Sequence, residues 1–373
     1  MALKPKPLRL AYSAAIAAVV LGLAACSAAP GGQSPASNSP ATPDATSVAT
    51  ASGPIEYPAP TALDSGSQAT LDNISYKGGT PTIAYLPMGT EFNYHVALFE
   101  GLKTVPGINT FMLSPYAGSD QAAQLGMLQD VTSRADVDAI LLISFDEHSL
   151  APLVKKAVDA GKVVVIINSD IPNYPTPVHG VVGVTQRVAN KALAEWAVKS
   201  VNGEARTVGI LDGEPSYLAT ERAGGFEDGI KGTSWKLKAR VNGGWSVDKG
   251  NTAAMDLLQA NPDIQVLYAS NDYMAEGAAL AGKTLGRSDL MVLGYDGDTA
   301  AIESIANGDG VTATTNTNPV KMGRVAGQFV VDLLNKKSTG GYVNSPTEIV
   351  TKDNAVTILQ NPADLYPKPS KKY

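Results

Sequence analysis

From residue 81 onward, short runs of apolar residues alternate with longer segments whose apolar residues recur at helical spacing. In the first half the strand-like runs are TIAYLP, AILLIS and VVVIIN, and the helix-like segments between them are FNYHVALFEGLKTV, DQAAQLGMLQDVTSRA and APLVKKAVDAG. The strand-like runs are continuous and β-branched rather than alternating, which is typical of strands covered on both faces. The pattern therefore predicts a parallel sheet with helices on both sides.

The same alternation begins again in the second half of the chain. TVGILDG, QVLYAS and LMVLGYDG predict strands, and RAGGFEDGIKG, AAMDLLQAN and MAEGAALAGKTLG predict helices. Two βαβ sets in series predict an α/β protein of two doubly wound lobes, each built on a parallel sheet.

Polar residues follow several of the predicted strands, at the carboxyl ends where such sheets bind ligands. These residues are Glu91, Tyr94, Asn168, Asp170, Asn271, Asp272 and Asp296. Because the Asn271 amide both donates and accepts hydrogen bonds, we expect it to contact a ligand. We expect Asp272 and Asp298 to cap the helices that follow them.

The N-terminus has the features of an export signal. Lys4, Lys6 and Arg9 precede an apolar segment from about Ala14 to Leu23, which is too short to span a bilayer comfortably. The next residues, Leu-Ala-Ala-Cys, resemble the lipobox of bacterial lipoproteins. We therefore expect a signal peptide over residues 1–25 and lipidation of Cys26, which would hold the protein on the outer face of the cytoplasmic membrane. The alternative is a lone buried cysteine.

The segment after Cys26 is rich in Ser, Ala, Pro, Thr and Gly and contains few large apolar residues. Such a composition cannot bury a core. We expect a disordered tether over residues 26–76.

Composition excludes several classes of function. The 373 residues are 44% hydrophobic and 17% charged, with a formal net charge of −6, which argues against nucleic acid as a partner. Cys26 is the only cysteine, and the three histidines (His95, His148 and His179) lack metal-ligand spacing. No nucleophile motif or phosphate-binding loop is present. We expect no metal, no cofactor and no enzymatic activity.

Several segments occur in the order seen in a known family: ADVDAILLIS, VKKAVDAGKVVVIINSD, TERAGGFEDGIKG, LLQANPDIQVLYASNDYMAEGAALA, VLGYDGD and NPVKMG. The chain resembles the ribose-binding-protein-like, type I periplasmic binding proteins of sugar importers over about residues 80–360. The resemblance implies two Rossmann-like lobes joined by a three-strand hinge, closure on the ligand, and docking on a membrane permease.

The resemblance also implies lobe boundaries. The first lobe would comprise residues 77–183 and 318–347, and the second lobe residues 184–317 and 348–373. The chain would cross between the lobes near residues 182–185, 315–318 and 349–351.

Four residues match ligand-binding positions of the family. The resemblance implies that Trp245 and Tyr94 stack on a sugar from opposite faces of the cleft, that Arg222 grips hydroxyls, and that Asp296 binds the ligand while held by Arg222. Each has a structural alternative: Trp245 as a half-buried loop residue, Arg222 in a surface ion pair with Glu221 or Asp228, and Asp296 as a helix cap.

The chain departs from the ribose-binding pattern at several positions in the predicted site. His95 stands in place of a second aromatic residue, Asn168-Ser169 in place of an Asp-Arg pair, and Thr317 in place of a glutamine. Glu91, Phe92 and Asn93 are further candidate contacts that could compensate, and Asp170 is expected to read ligand hydroxyls together with Asn168. A surplus of carboxylates leaves a cationic or amino-sugar ligand open.

The sequence therefore predicts a monomeric binder that captures a neutral monosaccharide or polyol for an ABC permease. The alternative from another class is a sensor that presents its ligand to a membrane receptor kinase. A transcription regulator with the same lobes is disfavoured, because an export signal occupies the place of a DNA-binding helix-turn-helix.

Overall fold

The computed structural model describes residues 55–118, 120–361 and 365–366. The predicted signal peptide, the lipidation site Cys26 and the first part of the tether, residues 26–54, lie outside the described residues. None of the helices in the described part combines the length and the apolar character that a bilayer crossing requires.

The first lobe contains a six-stranded sheet in the order β11-β5-β4-β3-β1-β2, in which every neighbouring pair is parallel. Its strands are β1 (Thr82–Leu86), β2 (Asn109–Met112), β3 (Ala139–Leu142), β4 (Val163–Ile167), β5 (Gly180–Gly183) and β11 (Gly341–Asn344). Its helices are α1 (Asn93–Lys103), α2 (Gln121–Ser133), α3 (Glu147–Asp159) and α9 (Pro319–Leu334). Every residue of β3 and β4 is buried, as their continuous apolar runs predict.

The second lobe repeats the plan in the order β12-β10-β9-β8-β6-β7, parallel except for the antiparallel pair of β10 and β12. Its strands are β6 (Thr207–Asp212), β7 (Lys236–Asn242), β8 (Val266–Ala269), β9 (Met291–Asp296), β10 (Val311–Asn316) and β12 (Glu348–Val350). Its helices are α4 (Gln186–Ser200), α5 (Tyr217–Ile230), α6 (Val247–Ala260), α7 (Asp272–Thr284), α8 (Thr299–Asn307) and α10 (Ala355–Leu359). The predicted fold class, two doubly wound α/β lobes, is confirmed.

The chain passes between the sheets three times. It leaves the first lobe after β5, returns after β10, and leaves again between β11 and β12. The third passage lies at residues 345–347 rather than at the expected residues 349–351. Ile349 and Val350 already pair with β10 of the second sheet, because the antiparallel strand β12 begins at Glu348.

Residues 55–76 pack against the first lobe, so the expected disordered tether is wrong for this part of its range. Thr61 bridges the edge strand β11 at Tyr342, and Gln68 bridges Val178. Leu63 and Ala69 are buried. We call residues 55–76 the strap. A few apolar side chains suffice to anchor it because they fill gaps along an edge that the sheet already provides.

Six strands were not predicted as strands from the sequence: β2, β5, β7, β10, β11 and β12. β2 is only partly buried, and β7, with the sequence KLKARVN, is mostly exposed. A strand at the edge of a sheet carries polar and basic side chains, so it lacks the continuous apolar run by which the central strands were recognised.

Candidate ligand-binding site between the lobes

A cavity lies between the two lobes at the carboxyl ends of β1, β4, β8 and β9. It has about 390 Å³ of space between atoms, including its opening. Eight of the eleven predicted ligand-binding residues line it: Phe92, Tyr94, His95, Asn168, Arg222, Trp245, Asn271 and Asp296.

Arg222 reaches the cavity from α5 and is buried. Its Nε donates to Gln186 Oε1 at 2.9 Å, and its Nη1 donates to the carbonyl oxygen of Ser270 at 2.8 Å. The same Nη1 lies 3.2 Å from Asp296 Oδ1. The surface ion pairs considered as the alternative for Arg222 are formed by Arg187, which pairs with Glu221 and Asp228.

Asp296 ends β9 with a left-handed backbone, φ 119°, which turns its carboxylate toward Arg222. Burial raises the pKa of Asp296 to about 7, and the positive charge of Arg222 works in the opposite direction. Asp296 is not a helix cap; that role falls to Asp298, whose carboxylate accepts from Ala300 N as expected.

Trp245 sits in the loop between β7 and α6, and its ring lies 5.7 Å from the guanidinium carbon of Arg222. The backbone of Trp245 is left-handed, φ 60°. A Cβ on Gly213 would overlap the indole ring, so the glycine provides the space in which the ring lies. The loop thus presents an aromatic face beside the buried ion pair.

Asn271, and not Asp272 as expected, caps α7. Asn271 is the N-cap of α7, its Oδ1 accepting from Met274 N at 2.9 Å, while its Nδ2 donates to the carbonyl oxygen of Trp245 at 3.2 Å. Asp272 does not cap the helix. Its buried carboxylate accepts from Gly297 N, Asp298 N and Thr314 Oγ1, so it fixes the turn after β9. Asn271 still lines the cavity, beside its capping role.

Tyr94 and Asn168 form part of the cavity wall on the side of the first lobe. The Tyr94 hydroxyl donates to Asn168 Oδ1 at 3.0 Å and lies 3.0 Å from Thr317 Oγ1. Asn168 ends β4 in a left-handed conformation, φ 63°. Thr317 is therefore placed behind Tyr94 rather than on the cavity wall, and it positions the ring instead.

Two other predicted residues lie outside the cavity wall. Glu91 accepts from the backbone N–H of Gly118, which holds a neighbouring loop. Asp170 accepts from Gln186 N at 3.0 Å, where the chain enters the second lobe, and burial raises its pKa to about 6. The carboxylate surplus expected from the sequence is thus not brought together in the cavity.

Two apolar lining residues, Met88 and Leu218, were not predicted from the sequence. Met88 follows β1, and Leu218 precedes Arg222 by four residues on α5. Residues four apart share a face of a helix, so Leu218 could have been predicted from the position of Arg222.

The lobes also contact each other beside the cavity. The Tyr273 hydroxyl accepts from Asn93 N at 3.0 Å, and the Tyr273 ring stacks on Phe92 at 6.4 Å between centroids. No group of three or more His, Cys, Asp or Glu side chains able to hold a metal occurs in the described part of the chain. The arrangement can enclose a small polar molecule.

The chain is similar in sequence to known proteins. The model of the periplasmic binding protein domain family matches residues 93–338. The D-ribose/D-allose-binding protein of Pseudomonas aeruginosa is 32% identical over 244 residues, which cover 62% of this chain and 75% of the relative. The ribose import binding protein RbsB of Bacillus subtilis is 29% identical over 237 residues, which cover 63% of this chain and 75% of the relative.

A solved structure has the same fold. The ABC transporter solute binding protein of Mycobacterium smegmatis, with bound glycerol, superposes with a TM-score of 0.70 at 26% identity, covering 75% of this chain and 97% of that protein. These relatives are binding proteins and not enzymes. The chain therefore belongs to the periplasmic binding protein family, in its type I, ribose-binding-like group, whose members bind solutes outside the cytoplasm.

Proposed function

We propose that this chain is an exported lipoprotein that captures one neutral monosaccharide or polyol in the cavity between its lobes and delivers it to an ABC importer permease. The first lobe would comprise residues 77–183 and 318–347 with the strap packed on it, and the second lobe residues 184–317 and 348–373. Lipidated Cys26 would anchor the protein, with residues 27–54 as the tether.

The observation that carries the proposal is the buried pair of Arg222 and Asp296 beside the ring of Trp245, inside a cavity of small size. The pair offers donors and acceptors to hydroxyl groups, and the indole ring offers a face to the C–H groups of a sugar. The two charges compensate each other, so a neutral ligand leaves no charge unpaired. A cationic or amino-sugar ligand is less well supported, because Glu91 and Asp170 do not line the cavity.

The experiment is a thermal-shift screen of residues 55–373 against pentoses, hexoses, deoxy sugars, amino sugars and polyols. A ligand at 100 times its Kd adds about 2.7 kcal/mol to the free energy of unfolding, which raises the Tm by several degrees. A shift with neutral sugars or polyols supports the proposal, and a silent screen contradicts it.

Trp245→Ala tests the location of the site. It should abolish the shift while the protein remains folded. Trp196→Ala is the matched control, because Trp196 is also a half-buried tryptophan but belongs to α4, packs against a different core cluster and does not line the cavity. Equal responses of the two variants would refute the proposed site.

A further inference from the structure

His95 places one imidazole ring in the cavity wall. It lies in the first turn of α1, its side chain is buried, and it lines the cavity together with Phe92 and Tyr94. The rings of Phe92 and Tyr94 meet it edge-on, at centroid distances of 5.3 Å and 6.1 Å. Two aromatic neighbours at these angles hold the imidazole in one orientation.

One hydrogen bond fixes which nitrogen of His95 carries the proton. Nδ1 lies 2.7 Å from the carbonyl oxygen of Gly89. A carbonyl oxygen only accepts, so Nδ1 must donate, and in the neutral ring Nε2 is then a bare acceptor. The backbone of Gly89 packs closely against that of Gly118: a Cβ on Gly89 would lie only 2.5 Å from Gly118 N.

The ring stays neutral. Burial lowers the pKa of His95 to about 4, the bond to the Gly89 carbonyl opposes this shift, and the positive charge of Arg222 adds to it. Nε2 therefore accepts rather than donates at neutral pH. Among the hydrogen bonds formed by the described residues, the bond of Nδ1 is the only one made by this side chain.

The other polar groups of the cavity are largely engaged already. The Tyr94 hydroxyl is bound to Asn168 and Thr317, and both ends of the Asn271 amide are bound to backbone groups. Asp296 faces the guanidinium of Arg222. On the first lobe's side of the cavity, Nε2 of His95 is thus a hydrogen-bond acceptor without a partner among the described residues, and it is available to a ligand.

We propose that Nε2 of His95 accepts a hydrogen bond from one ligand hydroxyl, so that this site selects polyhydroxylated solutes carrying a donor hydroxyl at that position. This inference rests on the proposed function and narrows its substrate class. A ligand whose hydroxyl is absent, methylated or replaced by fluorine cannot donate, and it would leave a desolvated acceptor unpaired.

The test is a fluorine scan. The best sugar or polyol from the screen is compared by calorimetry with its monofluoro analogues, each lacking one hydroxyl, on the wild-type protein and on His95→Phe. For one analogue the wild-type protein should lose affinity by roughly 10-fold to 100-fold, whereas His95→Phe should bind that analogue and the parent equally. Losses at the other positions should be the same in both proteins.

Equal losses at every position in both proteins would overturn the role of His95 while leaving sugar capture intact. Failure of the wild-type protein to bind any sugar or polyol would instead overturn the proposed function, and the role of His95 with it.

A second measurement does not depend on the folding of a variant. The ¹⁵N resonance of His95 Nε2 is followed in the wild-type protein during ligand titration, and it can be assigned because the chain has three histidines. The resonance should shift in the direction of hydrogen bonding on addition of ligand. An Nε2 resonance unchanged at saturation would overturn the proposal.

Discussion

The guanidinium of Arg222 lies 3.2 Å from the carboxylate of Asp296 in the cavity wall; the Arg222 side chain is buried, and that of Asp296 is 15% exposed. They come from different elements, α5 and the end of β9, so the pair ties the helix to the sheet edge. Removing one partner of a buried ion pair leaves the other charge uncompensated.

Arg222→Met should lower the free energy of unfolding by about 3 kcal/mol in urea denaturation, because Asp296 loses its counter-charge and the side chain of Gln186 and the carbonyl oxygen of Ser270 lose their donor. It should also weaken ligand binding. Arg187→Met is the matched control, since it breaks the more exposed pair with Asp228 and should change stability by less than about 1 kcal/mol. Similar losses in both variants would show that burial of the Arg222–Asp296 pair has no special weight.

The strap should contribute to the stability of the first lobe. The Tyr57 hydroxyl donates to Asp332 Oδ2 at 2.6 Å, and the Tyr57 ring meets Phe329 edge-on. Tyr57→Phe should lower the free energy of unfolding by about 1 kcal/mol, and a chain beginning at Lys77 should lose considerably more because Leu63 and Ala69 are then missing. Melting curves compare both with residues 55–373. An unchanged Tm for the chain beginning at Lys77 would contradict a structural role for the strap.

The contact between Tyr273 and Asn93 should favour the closed arrangement of the lobes. It joins residues of different lobes, so hinge opening would break it. Tyr273→Phe should weaken ligand affinity by about fivefold, mainly through faster dissociation, because the closed state loses one hydrogen bond of about 1 kcal/mol. Stopped-flow kinetics provide the measurement.

Tyr76→Phe serves as the control for that variant, because the Tyr76 hydroxyl bonds to Gly79, close to it in the chain, and not across the cleft. Unaltered dissociation in Tyr273→Phe would mean that this contact does not stabilise closure.

Glu276 should make stability depend on pH. Burial, with a smaller contribution from Asp298, raises the pKa of Glu276 to about 7, and its Oε1 is buried without a partner among the described residues. The folded protein therefore holds this proton more tightly than the unfolded chain, so the stability that the group provides is complete below about pH 4 and is lost as pH rises toward 7.

Glu276→Gln removes that loss. Between pH 4.5 and pH 7.5 the free energy of unfolding of the variant should rise relative to that of the wild-type protein by an amount of the order of 1 kcal/mol. Urea denaturation at each pH provides the measurement. Glu303→Gln, at an exposed position on the neighbouring helix α8, is the matched control. A constant difference between wild type and Glu276→Gln across this range would refute the titration of Glu276.

The sequence by itself determined the two α/β lobes and the sheet edges at which polar residues gather. The unbroken apolar runs of β3, β4 and β8 could only be strands covered on both faces, and their repetition in two sets required two lobes. Polar residues at the ends of those strands had to meet at the sheet edges, which is why Asn168, Asn271 and Asp296 were found together. These inferences succeed because burial and strand direction follow from local patterns.

Only the tertiary structure decided which polar group performs which task. Asn271 and Asp272 are adjacent and chemically similar, and which of them caps α7 depends on the turn after β9, whose backbone N–H groups capture Asp272. Glu91 and Asp170 do not line the cavity, because their carboxylates accept hydrogen bonds from the backbone N–H groups of Gly118 and Gln186, which are distant in sequence. The strap looked like a tether because its few apolar residues gain burial only against an edge that other strands build. Hydrogen-bond partners and packing surfaces of this kind are set by contacts between remote segments, and no local pattern records them.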